Sequence, residues 1–550
     1  MAYTGNTAFD GLDARRAASD GAIRDMENMS RRFFPAIATR KKRRIVDRYG
    51  DGFRGAYFGD RDFIVRDGAL YDNGEYICAL SDGEKQMAAL ENILYIFPDQ
   101  ITYNTTDKTY RDYRSETISN IGNGKTITID YRQKQNGDII ENLKDDIIFK
   151  EIDFPGTKFT KDDMIEIEFY EWDKTGALVK KGESYILRPE SVGTQTYNGY
   201  TCKYLEFPLN TFREITNGLV VEVVVKISHA IPEMDFVFAS DNRLWGAKGR
   251  EIYASALGQG MVWRDYDTLS TSAWAASTKT GEIVTAACDF GGMPIFFTEN
   301  SVYKIYGEDP KEYQYVRADI VGISKGEHKS IAMAAGYIYY LSRNGIYAWT
   351  GGIPQLISQK LGEDRITNAV GGSDGAVYYL SCRQGNRDNL YVFDLLSAAW
   401  MREDDLSAVQ ITRRGQNLCA ITKDGTAVLI GDVFGEDGEA EDDIRYSFET
   451  SDFNDGAVTM KEAKNIIMQY EIENGTADVC VSYDGEPWNY VYTLYDTNGV
   501  RMTSVIPLQS KRYRTMRIRV EGDGDFILYY MVRDVKTTTE RPGGEKNVYV

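Results

Sequence analysis

Residues 337–347 read Tyr337-Ile338-Tyr339-Tyr340-Leu341-Ser342-Arg343-Asn344-Gly345-Ile346-Tyr347. Two runs of apolar and aromatic residues flank Asn-Gly, a pair that tolerates the left-handed backbone of a tight hairpin. Ser342 can hydrogen-bond the backbone of the same turn. The stretch therefore predicts a strand, a short turn and a second strand.

The same pattern recurs through the middle of the chain. Further copies begin at Phe236, Pro294 and Leu418, a degenerate copy begins at Val377, and an early copy begins at Phe63. From Ser342 through Ser381 to Thr422 the copies lie about forty residues apart, the length of one four-stranded propeller blade. The sequence therefore predicts an all-β fold built on a β-propeller of about five or six blades.

The segments between and beyond the blades have strand patterns of their own. Alternation in 125–130 and 164–170 predicts a β-barrel or sandwich inserted into the propeller. After the acidic run 436–443, which is typical of a linker, turns with Asn-Gly and Asp-Gly predict a C-terminal β-sandwich. The strands predicted there are Ala463–Ile472, Ala477–Tyr483, Tyr513–Val520 and Phe526–Val532.

These patterns divide the chain into five parts. We expect an N-terminal arm (1–50), a first part of the propeller (51–114), the inserted β-domain (115–229) and the remainder of the propeller (230–435). The last part (436–550) holds the acidic linker, the C-terminal sandwich and a polar tail from Lys536.

The charge balance limits the partners. Lys and Arg total 64 against 83 Asp and Glu, which gives a net charge of −19. A net acidic surface repels nucleic acid and anionic membranes at long range, so we expect no wholesale wrapping of DNA, although an acidic wall could let DNA slide past without sticking. The most apolar stretch, 219–227, is short and contains Glu222 and Lys226, and Met1–Arg24 lacks the apolar core of a signal peptide. We therefore expect no membrane insertion.

Few residues suit catalysis or metal binding. The two histidines, His229 and His328, are isolated in sequence, which makes a histidine triad or a His-rich metal site hard to build. The six cysteines lie far apart without a CxxC pair, and we expect buried free thiols in a protein made in a reducing cytoplasm. Calcium could bind Asp523 and Asp525 or the acidic run, but neither matches an EF-hand loop. We predict no catalytic residue, no cofactor and no metal.

Two other functions stay open at this point. Trp263, Trp274, Trp400 and Trp488 could form a sugar-stacking platform, although aromatic residues at blade spacing also pack between blades. A pair of carboxylates could cleave a glycosidic bond, but no spacing in the sequence singles out such a pair.

One charge feature stands out. Arg40-Lys41-Lys42-Arg43-Arg44 is a basic cluster in an acidic protein, and it follows the apolar Phe33, Phe34 and Ile37. The cluster is either a solvated or salt-bridged strand end, or a contact with DNA phosphates or with the acidic face of a neighbouring subunit. Because the whole molecule is acidic, we favour the neighbour over DNA. The arm could also strap onto the propeller.

The opening also resembles a known family. Met26-Glu27-Asn28-Met29-Ser30, followed by Phe33-Phe34-Pro35-Ala36-Ile37-Ala38-Thr39-Arg40-Lys41, is similar to the start of β-propeller proteins from tailed-phage and prophage virions. These include tail nozzles and packaged-DNA stabilisation proteins of short-tailed phages. The blades at 293–306 and 337–347 resemble theirs too, whereas the insertion and the C-terminal domain do so weakly.

The resemblance implies a structural role in a virion. It predicts a homo-oligomeric ring, taken as a hexamer, in the tail hub or nozzle or at the head–tail junction. Its partners would be adjacent tail or connector proteins and double-stranded DNA, which passes through the channel without sequence-specific binding. The implied location is the virion tail, after synthesis in the bacterial cytoplasm. The alternatives are a receptor-recognition propeller that binds host-surface glycans and, third, a propeller glycoside hydrolase.

Overall fold

The computed structural model of the chain describes residues 2–6, 8–135, 138–267, 269–279, 281–435, 438–456 and 459–537. The chain divides into two compact units, Met1–Asp67 with Ile320–Val550 and Gly68–Asp319. Helical structure is confined to α1 (Arg213–Thr216) and to short 3-10 turns, and within the described ranges no helix is long and apolar enough to cross a membrane. The predicted tail lies outside the described residues beyond Thr537.

Strands fill both units. The strands before the unit boundary are β1 (Ala2–Asn6), β2 (Ile23–Glu27), β3 (Met29–Ser30), β4 (Ile37–Thr39), β5 (Arg44–Arg48), β6 (Phe53–Phe58) and β7 (Asp62–Arg66). Those of the second unit are β8 (Ala69–Asp72), β9 (Glu75–Ala79), β10 (Gln86–Leu90), β11 (Ile93–Phe97), β12 (Ile101–Asn104), β13 (Thr109–Asp112), β14 (Ile118–Ser119), β15 (Ile127–Gln135), β16 (Asp138–Lys150), β17 (Ile165–Trp172), β18 (Leu178–Lys180), β19 (Tyr185–Leu187), β20 (Ser191–Tyr197), β21 (Tyr200–Pro208), β22 (Val221–His229), β23 (Phe236–Ser240), β24 (Arg243–Lys248), β25 (Glu251–Ala254), β26 (Trp274–Ser277), β27 (Ala286–Asp289), β28 (Pro294–Phe297), β29 (Val302–Tyr306) and β30 (Gln314–Ala318).

The first unit resumes after Asp319. Its further strands are β31 (Ala332–Ala334), β32 (Tyr337–Ser342), β33 (Gly345–Trp349), β34 (Gln355–Leu356), β35 (Ile366–Ser373), β36 (Val377–Gln384), β37 (Arg387–Asp394), β38 (Ala399–Arg402), β39 (Ala408–Arg414), β40 (Asn417–Thr422), β41 (Thr426–Ile430), β42 (Glu439–Ala440), β43 (Arg445–Thr450), β44 (Lys461–Glu473), β45 (Ala477–Tyr483), β46 (Asn489–Leu494), β47 (Met502–Pro507), β48 (Met516–Asp523) and β49 (Asp525–Thr537).

Propeller blades make up much of each unit. The second unit contains the four-stranded antiparallel sheets β10–β13, β23–β26 and β27–β30, besides the hairpin β8–β9. The first unit contains β31–β34, β35–β38 and a blade formed by β39, β40, β41 and β5, besides the hairpin β6–β7. Six complete blades therefore lie within one unit or the other, and β6–β9 form a seventh four-stranded sheet, one more than the five or six blades expected; the predicted propeller is confirmed.

The repeat identified in the sequence forms a hairpin in most of the blades, and β10–β13 is a blade without a recognised copy. β32 and β33 pair from Ile338–Trp349 to Ser342–Gly345 and are almost wholly buried, as the apolar pattern on both sides of the turn requires. In the copy at Phe236, Asp241 and Asn242 both have positive φ, 47° and 56°, the backbone of a tight type I′ hairpin. The copies at Pro294, Tyr337, Val377 and Leu418 form the second and third strands of their blades, whereas the copy at Phe236 forms the first and second strands, β23 and β24.

The insertion is one nine-stranded antiparallel sheet between Ile118 and His229, within the span predicted for it. β22 pairs with β17 along one side and with β14 and β15 along the other. The inward side chains form one apolar cluster that includes Ile127, Phe149 and Phe207.

The C-terminal domain is a sandwich of two sheets, and the N-terminal segment is part of it. One sheet has the order β3-β4-β49-β44-β47 with β1 also on β49, and the other has the order β2-β43-β48-β45-β46. Met26, Met29 and Ile37 lie in the same buried cluster as Met468 and Val520. The first fifty residues are therefore not a separate arm: β1–β4 complete the sandwich, and β5 completes a blade by pairing with β41.

Candidate assembly site

The basic cluster lies in the first unit, where the chain passes from the sandwich to the propeller. β4 ends at Thr39 in the sandwich, and β5 begins at Arg44 in the blade, so residues 40–43 form the bridge between them. Arg40 and Arg43 are only 4% and 5% exposed. Charged groups this deeply buried require ion pairs and hydrogen bonds.

Carboxylates from two other segments meet both arginines. Arg40 donates to Glu441 through two parallel hydrogen bonds of 2.7 Å, the fork geometry that suits guanidinium and carboxylate. Arg43 donates to Glu403 at 2.7 Å and to Asp404 at 2.5 Å, and its backbone N–H donates to Glu441 at 3.0 Å. Burial alone would raise the pKa of Asp404, but Arg43 and Arg40 outweigh it and lower that pKa. The group is a buried clamp that joins the bridge to the blade end and to the linker.

The other members of the cluster are more exposed. Lys41 pairs with Asp432 at 2.5 Å, and Lys42 pairs with Asp443 at 2.7 Å. Arg44 donates to the carbonyl of Gly438 at 3.1 Å. The salt-bridged interpretation thus holds within the chain for Arg40, Lys41, Lys42 and Arg43. A contact with a neighbouring subunit or with DNA stays a prediction, and its accessible members are Lys41 and Lys42.

The acidic run supplies part of this arrangement. Glu441 closes the clamp and Asp443 pairs with Lys42, whereas Glu436 and Asp437 lie outside the described residues. The stretch predicted as a solvated linker is therefore held to the basic cluster by charge.

A short aromatic turn lies just before the cluster. Ile37 is buried, but Phe33 and Phe34 are 47% and 56% exposed. The guanidinium groups of Arg32 and Arg31 lie over these rings, 4.9 and 4.0 Å from the centroids. The turn presents apolar surface to its surroundings.

The tryptophans do not form a common platform. Trp263 and Trp400 are fully buried, and Trp400 donates to the carbonyl of Ile357 at 2.8 Å. Trp274 and Trp488 are partly buried, the former beside Trp245 and the latter under two guanidinium groups. Packing therefore accounts for Trp263 and Trp400, and these two are unavailable to a sugar.

The histidines and acidic pairs also have structural partners. His229 is buried with its Nε2 2.8 Å from Glu116, and His328 opens a 3-10 turn. Asp523 accepts a hydrogen bond from the backbone N–H of Thr476 at 3.0 Å. Over the described ranges, no group of three or more His, Cys, Asp or Glu side chains is placed to hold a metal ion.

One surface was not anticipated from the sequence. β46 and β47 are the terminal strands of the two sandwich sheets, and they lie next to each other. Several large apolar and aromatic side chains of these strands and of the connection between them are exposed, beside the polar Asn489, Asp496, Asn498, Arg501 and Thr503. We call this surface the sandwich edge; its members are Tyr490 (61% exposed), Tyr492 (37%), Tyr495 (65%), Val500 (61%), Met502 (49%) and Val505 (58%).

Comparison with known proteins gives only loose structural likenesses. No family model and no curated protein matches the chain. An exo-β-1,3-galactanase from Phanerochaete chrysosporium aligns at 12% identity over 52% of this chain and 93% of its own, with a TM-score of 0.21. BamB from Moraxella catarrhalis aligns at 11% identity over 49% and 91%, with a TM-score of 0.25.

A third solved structure is similar to the chain at an equally low level. A quinoprotein alcohol dehydrogenase-like protein from Bacteroides thetaiotaomicron aligns at 12% identity over 63% of this chain and 82% of its own, with a TM-score of 0.22. Scores this low carry no argument about function. The propeller assignment rests on the blades of the chain itself.

Proposed function

We propose that this chain is a structural protein of a tailed-phage virion, a ring component of the tail hub or nozzle or of the head–tail junction. The observation that carries the proposal is the course of the N-terminal segment. Residues 26–41, which resemble the phage propellers, supply strands to the sandwich and lead through the buried clamp into a blade. The resemblance therefore falls on residues with a defined architectural role.

That architecture suits a part that bears load. β5 closes its blade with a strand distant in sequence, so the blade cannot open at β41 without breaking a ladder of backbone hydrogen bonds. The same segment is fixed at its other end by β2 and β4 in the sandwich and between the two ends by Arg40 and Arg43. Pulling one element loose requires several others to separate with it.

The charge of the chain agrees with a channel wall. A net charge of −19 repels DNA phosphates, and a wall that repels DNA lets it pass without adhering. The predicted partners are other copies of the chain in a ring, adjacent tail or connector proteins, and DNA in transit.

The test is quantitative mass spectrometry of purified particles from the source. A whole number of copies per virion that matches the rotational symmetry of the tail, six for a hexamer, is expected. Absence from particles would overturn the proposal. Glycan-array binding or turnover of a polysaccharide by the isolated chain would then favour a receptor-binding or hydrolytic propeller.

A further inference from the structure

The sandwich edge differs from the opposite side of the same domain in composition. β2 terminates the far side of the second sheet and carries Arg24, Asp25 and Glu27 among its five residues. β46 and β47 have six residues each, Asn-Tyr-Val-Tyr-Thr-Leu and Met-Thr-Ser-Val-Ile-Pro, and neither contains a charged side chain. Soluble proteins usually protect edge strands with charges or proline. β47 has Pro507 at its end, whereas β46 has neither device.

One tyrosine of this edge, Tyr490, is held by hydrogen bonds. The Tyr490 hydroxyl lies 2.8 Å from Thr493 Oγ1, which in turn donates to Asp478 Oδ1 at 2.5 Å. A ring fixed in this way loses little side-chain entropy when a partner covers it. Tyrosine is also the residue type enriched at the energetic centres of protein interfaces.

Charge indicates what kind of partner fits. Two copies of a chain with a net charge of −19 repel each other over most of their surfaces. The strands β46 and β47 add no charge of their own to that repulsion, and burial of their exposed apolar side chains is favourable. The outer N–H and C=O groups of an edge strand can also form a ladder with an extended backbone, which a strand supplies and a sugar does not.

We propose that β46 pairs with an edge strand of a second copy of this chain, so that the second sandwich sheet continues from one copy into the next. β47 and the connection 495–501 flank the contact, with apolar side chains at Tyr495, Val500, Met502 and Val505 and charged ones at Asp496 and Arg501. The inference deepens the proposed function, because it assigns a contact between the subunits of the ring. It rests on the proposed function only in taking a second copy of the chain as the partner.

The first experiment measures self-association of the full chain by sedimentation velocity over a concentration series. Tyr492→Lys places a charge on the strand, and Val491→Pro removes a backbone N–H from it. Each variant is expected to weaken association by at least about thirtyfold, the effect of losing an interface hot spot. The matched control is Tyr76→Lys, the same substitution at an exposed tyrosine (62%) of the other unit, and it should leave association unchanged.

Hydrogen exchange of the wild-type chain tests the backbone pairing without any substitution. Amides of residues 489–494 should exchange more slowly in the associated state than in the dilute monomer, because a new ladder protects them. A wild-type chain that stays monomeric at every concentration, or association without protection of these amides, would overturn the inference. So would glycan binding that Tyr490→Ala abolishes in a monomeric chain.

The two proposals fail in distinguishable ways. If the chain is absent from particles but associates through β46, the virion role is wrong and the edge contact stands. If the chain is present at ring stoichiometry and Tyr492→Lys assembles normally, the virion role stands and the edge contact is wrong.

Discussion

Replacing Arg43 by methionine should destabilise the first unit strongly. The Arg43 side chain lies beside Glu403 at 2.7 Å and Asp404 at 2.5 Å, and both it and Glu403 are about 5% exposed. Within the described part of the chain Glu403 has no other cation at salt-bridge distance, whereas Asp404 keeps Arg40 at 3.6 Å. Methionine fills most of the volume but leaves Glu403 as an uncompensated buried charge.

The expected loss of unfolding free energy follows from the unpaired Glu403 carboxylate. Removing one partner of a buried ion pair costs about 3–5 kcal/mol of unfolding free energy, whereas an exposed pair contributes about 0–1 kcal/mol. At about 2–4 °C per kcal/mol for a large domain, the melting temperature should fall by roughly 6–20 °C. Lys42→Met is the matched control, because Lys42 and Asp443 are 46% and 73% exposed, and it should cost at most about 1 kcal/mol.

The assay is urea unfolding combined with hydrogen exchange. Peptides from β5 and from the end of β38 should lose protection in Arg43→Met and keep it in Lys42→Met. Adding Glu403→Met to Arg43→Met removes the unpaired charge and should restore a large part of the loss. Equal stability of Arg43→Met and Lys42→Met would refute the buried clamp and return the cluster to a surface role. Comparing Arg43→Met with Lys42→Met also shows which residues of the basic cluster suit a test of assembly: Lys41 and Lys42 can be neutralised with little effect on the fold.

Three further predictions concern titratable groups of the second unit. Burial alone would raise the pKa of Glu116, but hydrogen bonds from His229 and Arg111 outweigh it and lower that pKa to about 2. The folding stability that Glu116 contributes is therefore present above its unfolded pKa and is lost as the pH falls toward 2. Glu116→Gln should reduce this loss of stability at acid pH, measured by urea unfolding. Burial, and then repulsion by neighbouring carboxylates, raises the pKa of Asp146 to about 7. The stability that Asp146 contributes is therefore present below its unfolded pKa and is lost as the pH rises toward 7. Asp146→Asn should remove this dependence of the unfolding free energy on pH and stabilise the insertion at pH 8; an unchanged dependence would contradict this. Cys288 is buried with its pKa raised to about 12 by desolvation, so it should resist a thiol reagent until the protein is unfolded, and fast labelling of the native chain would show that it is accessible.

The propeller could be predicted because its signal is local and repeated. Each copy of the repeat places two apolar runs around a turn, and each pair forms a hairpin within a blade, as in β32–β33 and β40–β41. The blade partner of β41 could not be predicted. β5 lies hundreds of residues earlier in the chain, and a sequence of Arg44-Ile45-Val46-Asp47-Arg48 says nothing about which strand it joins.

The sandwich also shows which strands could be predicted from the sequence and which could not. The predicted strand Ala477–Tyr483 matches β45, which is buried at every position but Asp478, and Ala463–Ile472 lies inside β44, which alternates between buried and more exposed positions. β46 and β47 were missed, since strand prediction looks for apolar residues that alternate with polar ones. These strands lie at an edge where exposed positions hold Tyr490, Tyr492 and Val505, so their pattern does not distinguish a buried face from a solvated one.

The failure of the pattern at this edge is itself informative. A strand that obeys the alternation has a partner for its apolar face and water for the other, and its sequence is explained by the fold of one chain. The sequence of β46 is not explained in this way, because it exposes tyrosines and lacks the charges that β2 carries at the other end of the same sheet. Positions where local rules fail in an otherwise consistent fold are those expected to serve function. The buried clamp at Arg40 and Arg43 obeys the rules for internal ion pairs and needs no partner beyond the chain. The sandwich edge is not explained without a partner, so we expect a subunit contact there in preference to the basic cluster.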